Sequence, residues 1–252
     1  MEITHLVVNG CSWTYCSGLD NPKVQGWPAL LAQKLNLPVV NLALPGSGGG
    51  SIHRRSYEYM YQNLPTGSKP LFLIFWTQYW RREAWFEGGG VNGSLIQDYN
   101  VVNPTASSKE PHVAALLDHW NEEDFIRQTL LYKLSLQSLF RSQKIPYLIA
   151  DYSSCGEQLD TFDLDQHNSL KDAVNTDPYC IPRDLQLVSH LNTFKQLPCG
   201  HEGPEAQQVL ANWWEQKLKV VNQWNIKPIT GTNFLTLDNY QIKKTNPYTA
   251  WK

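Results

Sequence analysis

Charge is scarce in this chain, and neither sign dominates. Asp, Glu, Lys and Arg make up 17% of the 252 residues, and the formal net charge is −2. No basic face for a polyanion is implied, so nucleic acid is not an expected partner. Cysteine provides no framework either. Cys11, Cys16, Cys155, Cys180 and Cys199 are odd in number and irregularly spaced, which argues against a disulfide scaffold and fits a reducing compartment. No Cys-x-x-Cys or other tight ligand pair supports a zinc reading of Cys180, His190, Cys199 and His201, so neither a metal nor a cofactor is expected. No apolar run approaches membrane-spanning length. The opening Met-Glu-Ile-Thr-His lacks the basic segment that begins a signal peptide. These absences point to a cytoplasmic protein without a membrane partner.

Apolar residues, at 42%, are sufficient for a large core. Tryptophan is abundant, at 10 residues, and reads either as packing or as the lining of a ligand groove, for sugars among others. Residues 5–9 read as a strand. Trp27–Asn36 has helical spacing with Pro28 near its start, and Pro38–Ala43 reads as a second strand. A glycine loop, Pro45–Ser51, leads to a helix over Ile52–Asn63. Leu71–Trp76 is the most apolar run and reads as a buried strand. This β-α-β-α-β order predicts a parallel sheet with helices on both faces.

Further on, Asp124–Gln143 forms a leucine-rich helical pattern that includes Leu131, and Ile145–Asp151 a fourth strand. Residues 152–197 are polar and irregular, with room for short helices. A last helical stripe runs from Pro204 to about Trp224. The expected architecture is one α/β domain over 1–252, a flavodoxin-like three-layer α/β/α sandwich. It carries an insertion at about 77–123, read as a lid, a hairpin or a partner surface, and a C-terminal tail at about 228–252.

Parallel sheets of this kind place ligands at the carboxyl ends of their strands. The residues there are Ser12 after the first strand, Asn41 to Ser51 after the second, and Thr77, Gln78, Arg81 and Arg82 after the third. Cys199-Gly200-His201-Glu202-Gly203-Pro204 comes just before the last helix. Ser12 taken alone is an ordinary turn residue. Gly46-x-Gly48 suggests a dinucleotide loop, but Ser51 occupies the third glycine position and no acidic partner follows. No Gly-Lys-Ser/Thr completes a Walker loop.

Three of these blocks, in this order, resemble the SGNH/GDSL hydrolase superfamily. Gly10-Cys11-Ser12 matches the block of the nucleophile. Asn41-Leu42-Ala43-Leu44-Pro45-Gly46 matches the block whose glycine donates an oxyanion-hole amide. Gly200-His201, shortly before the final helix, matches the block of the base. The likeness spans about residues 5–225 through short motifs only. The Gly-Cys-Ser-hydrophobic-Thr opening is similar to divergent members found in phages and bacteria, and phage origin would add association with the virion as an alternative to the cytoplasm.

The resemblance implies a serine esterase or acyl-transfer enzyme working through an acyl-enzyme on a small-molecule or glycan ester. Ser12 would attack, His201 would take its proton, and the Ser12 and Gly46 amides would hold the oxyanion. Two positions depart from the family pattern. The third block lacks its asparagine, and either Gln78 would stand in as the carboxamide donor or an arginine would fill the site, with Asn41 a further candidate at the substrate. The family acid, three residues before the histidine, is replaced by Pro198. Asp151 or Asp184 would then orient His201, or a backbone carbonyl would, leaving a dyad. The alternative is a binding or structural module on the same fold with a decayed site.

Overall fold

The apolar run Pro70–Trp76 (β3) lies at the centre of a five-stranded sheet in the computed structural model. The structure describes residues 3–64, 66–79, 81–85, 99–102, 121–151 and 168–220. All seven residues of β3 are buried, as are all five of His5–Asn9 (β1). A strand covered on both faces needs apolar side chains on both, which explains the unbroken runs. Val39–Asn41 (β2), Tyr147–Asp151 (β6) and Cys180–Ile181 (β7) complete the sheet in the order β2-β1-β3-β6-β7, every pairing parallel. The expected four strands are thus joined by a fifth, two residues long.

The period-2 alternation of the strands divides the core. Leu6, Val8, Leu71, Leu73 and Phe75 face one layer, with Trp27 and Leu31 of Trp27–Leu35 (α3), Leu187 of Leu185–Leu191 (α7), and Leu210 and Trp214 of Pro204–Val220 (α8). Val7, Phe72, Ile74 and Trp76 face the other, with Ile52 of Gly49–Glu58 (α4) and Leu136 and Phe140 of Glu122–Ser142 (α5). This is the three-layer sandwich expected from the sequence. Trp27 and Trp214 stack at 5.5 Å between ring centroids, and both are fully buried, so these two tryptophans serve the core.

Several boundaries differ from expectation. Helix α4 starts three residues earlier, on Gly49-Gly50-Ser51, and its last turn widens to π geometry over Tyr59–Asn63. Leu131 is 46% exposed and lies off the buried stripe of α5. Within 77–123, Arg82–Trp85 (β4) pairs antiparallel with Tyr99–Val102 (β5). The expected tail at 228–252 lies outside the described residues. Short helices Ser12–Tyr15 (α1), Pro22–Gln25 (α2) and Asn168–Asn175 (α6) complete the elements described.

Two imidazoles are held neutral by the fold. His5 is 6% exposed, and its Nε2 lies 2.8 Å from the Tyr59 hydroxyl. Burial pushes its pKa from 6.5 down to about 4. Burial does the same to His53, between the rings of Tyr57 and Tyr132. Above pH 6.5 these groups are neutral in both states and contribute nothing. Below it the unfolded chain takes up protons that the folded chain refuses. Stability is therefore expected to fall from pH 6.5 to about 4, by about 1.4 kcal/mol per pH unit for His5 alone, with His53 acting in the same direction. Urea midpoints at pH 7 and 4.5 check this, and His5→Gln should flatten the slope.

Candidate active site

The order β2-β1-β3 reverses the direction of strand succession between β1 and β3, which makes their carboxyl ends the topological switch point of the sheet. The loops leaving these two strands carry Ser12 and Gln78. The exit from β1 is tightly specified. Asn9, fully buried, donates from Nδ2 to the Ile52 carbonyl (2.9 Å) and to Ser56 Oγ (3.0 Å), while its Oδ1 accepts from the Gly10 amide at 2.8 Å. A Cβ on Gly10 would lie 2.8 Å from the Phe75 carbonyl oxygen and 2.2 Å from Thr14 Oγ1. Only glycine fits that approach to β3, and the chain then turns into α1.

Ser12 is the first residue of α1 and 7% exposed. Among the described residues its hydroxyl makes no hydrogen bond, and its amide donates to no carbonyl. It therefore presents an uncommitted oxygen beside an uncommitted amide. Gly46 is the third residue of a turn in which the Ser47 amide donates to the Leu44 carbonyl at 3.2 Å. Proline before it and a φ of +79° fit a type II turn, whose third position favours glycine. The Gly46 amide also has no acceptor among the described residues. Gln78, half-buried, accepts from the Arg81 amide through its backbone carbonyl, and its carboxamide makes no hydrogen bond among the described residues.

Asn41 has a structural job beside the substrate contact expected of it. Its Nδ2 donates to the Thr14 carbonyl (2.9 Å), and its Oδ1 accepts from the Ala43 amide (3.0 Å). Both ends of the carboxamide are used in clamping α1 to the exit of β2.

His201 reaches Ser12's turn from far along the chain. Its imidazole lies against the Trp13 indole, 5.7 Å between ring centroids. It sits on a hairpin-like loop closed by a bridge between Gln196 and Glu202, with the Leu197 amide donating to the His201 carbonyl at 2.8 Å. Gln207, 1% exposed on α8, fixes this loop: its Oε1 accepts from the Trp27 amide (3.1 Å) and from Cys16 Sγ (3.3 Å), and its Nε2 donates to the Glu202 carbonyl (3.4 Å). Sequence reading missed Gln207, and the only signal for it is a polar side chain on the buried stripe of the last helix.

No hydrogen bond joins Ser12 to His201 in this structure. The Nδ1 of His201 is buried with no hydrogen-bond partner among the described residues. Both carboxylates expected to orient it are engaged elsewhere. Asp151, at the end of β6, pairs with the buried Lys133 of α5 at 2.5 Å. Asp184 caps α7 by accepting from the Leu187 amide (3.0 Å), and it also accepts from Trp213 Nε1 (2.8 Å) and pairs with Lys217 (3.2 Å). Pro198 is exposed at the loop's tip. No group of three or more His, Cys, Asp or Glu able to hold a metal occurs among the described residues.

No protein-family model and no curated protein sequence matches this chain. Solved structures do. The psychrotrophic esterase EstA from a Pseudoalteromonas species superposes with a TM-score of 0.51 at 13% identity, over 86% of this chain and 98% of that one. TesA gives 0.53 at 17%, over 86% and 99%. A carbohydrate esterase family 2 enzyme with a carbohydrate-binding domain, from Corynascus thermopiles, gives 0.51 at 12%, over 88% and 67%. The chain shares the three-layer α/β/α fold of these solved structures.

Proposed function

We propose that this protein is a serine ester hydrolase or acyl-transfer enzyme. Ser12 is the nucleophile, His201 its base, and the amides of Ser12 and Gly46 hold the oxyanion with Gln78 as a third donor. The observation that carries the reading is the contact between His201 and Trp13, which joins residues 188 positions apart at the turn where Ser12 presents an uncommitted hydroxyl.

In the proposed reaction the Ser12 hydroxyl gives its proton to His201 as its oxygen bonds to the ester carbonyl carbon. The tetrahedral oxyanion is held by the amides, and each such donor lowers the barrier by on the order of 3 kcal/mol. His201 returns the proton to the leaving alkoxide, and water repeats the cycle on the acyl-enzyme. A small-molecule or glycan ester is the substrate class this reading favours. Among the described residues no carboxylate orients His201, and that lack is expected to cost about 10⁴-fold in rate, so turnover should be slow beside a complete triad.

The test is hydrolysis of 4-nitrophenyl acetate by the full chain and by His201→Ala. The variant should lose on the order of 10²–10⁴-fold in kcat/KM. Equal rates for the two proteins would remove His201 from the mechanism. The unpartnered Nδ1 is the one observation that favours a second reading, a binding module with a decayed site. That reading expects no turnover from either protein.

A further inference from the structure

The described residues line a half-open cavity of about 370 Å³ at the carboxyl edge of the sheet, between the start of α4 and the first half of α5. Its volume lies within the range of small-molecule sites, roughly 300–1,000 Å³. Gly49 and Gly50 leave main chain at its wall, and Tyr79 and Tyr132 add aromatic surface.

The charge in the cavity is one-sided. Arg54 lines it but is ion-paired with Glu58 at 3.0 Å. Arg81 lines it too, and its guanidinium makes only a long contact, 3.5 Å, with Thr77 Oγ1. Among the described residues Arg81 meets no carboxylate, and no acidic side chain lines the cavity. An arginine offers several donors in a planar fork, which suits carboxylate or phosphate oxygens.

The cavity also adjoins the oxyanion corner. A Cβ on Gly48 would meet the Arg81 carbonyl oxygen at 2.2 Å, so the loop that carries Gly46 is pressed against the backbone of Arg81.

We propose that this cavity binds an oxyanion, carboxylate or phosphate, carried on a ring, with Arg81 as its counter-charge and the tyrosines against the ring. Binding itself needs no hydrolysis. That the ligand is the charged end of the ester substrate rests on the hydrolase reading above.

Calorimetric titration of the full chain with benzoate, phenyl phosphate and benzamide tests this. At least one of the two anions should bind about tenfold or more tightly than benzamide, the scale of a charge-assisted contact. Whichever anion binds better identifies the headgroup as carboxylate or phosphate. Arg81→Gln should abolish the preference, and Arg81→Lys should keep part of it. Equal binding of all three probes, no binding of any, or an undiminished preference in folded Arg81→Gln would overturn the proposal. Anion preference in a chain that hydrolyses no ester would keep this site and remove the hydrolase reading. Turnover without the preference would do the reverse.

Discussion

Ser12→Ala is expected to reduce ester turnover by on the order of 10²-fold, because a complete triad is worth about 10⁶ in kcat and the missing carboxylate already accounts for about 10⁴ of it. The same substitution should leave stability almost unmoved. The Ser12 hydroxyl makes no hydrogen bond among the described residues, so its removal orphans no partner there. A change within about 0.5 kcal/mol is expected, as at positions without a structural role. The paired measurement is kcat/KM for 4-nitrophenyl acetate beside a urea unfolding curve. Activity lost with an unchanged midpoint assigns Ser12 to chemistry. Activity retained in the alanine variant contradicts the assignment, and activity and midpoint lost together would make Ser12 a structural residue of the β1 exit.

The second large effect is on stability. Lys133→Met should destabilise the protein by about 3–5 kcal/mol, because it leaves the Asp151 carboxylate, 11% exposed, without its counter-charge. The Lys133 side chain is 2% exposed, and its ammonium also lies 5.5 Å from the centre of the Trp76 ring. Replacing both partners, as in Lys133→Met with Asp151→Leu, should recover most of the loss, since an apolar pair of similar volume avoids burying either charge. Urea midpoints with a common slope measure the difference. A double variant no more stable than the single one would show that the lysine acts through contacts other than Asp151. Asp151→Asn carries the functional half of the argument: it should lower stability without the rate loss that follows removal of a triad acid.

Asp151 shows where sequence reading stops. A carboxylate at the end of a parallel strand faces the ligand edge, and that much follows from the pattern. Which partner takes it depends on a lysine eighteen residues earlier in α5, buried where helical spacing alone suggests only a core stripe. The strands themselves were legible, because a parallel sheet buries both faces and so imposes long apolar runs such as Pro70–Trp76. Cys180–Ile181 was not, because two residues carry no period. The start of α4 was hidden by Gly49-Gly50, a pair with poor helix propensity that tertiary packing overrides.

The site was legible in its order and less so in its contacts. Ser12, Gly46 and His201 stand out because turns and helix starts constrain residue type. Asn41 lies at the expected edge, and nothing in the sequence signals that its carboxamide also clamps two backbone segments. Gln207 was invisible as a positioning group, because its contacts are with chain segments far from it in sequence, whereas Arg81 was placed at the ligand edge by its position after the third strand.

The central claim is that Ser12 is a nucleophile activated in this fold. The most direct measurement is incubation of the native protein with a fluorophosphonate, followed by digestion and mass-spectrometric mapping of the adduct. The account predicts one adduct, on the peptide containing Ser12, absent from folded Ser12→Ala and strongly reduced in His201→Ala. No adduct on the native protein, or an adduct on another serine that persists in Ser12→Ala, would contradict it.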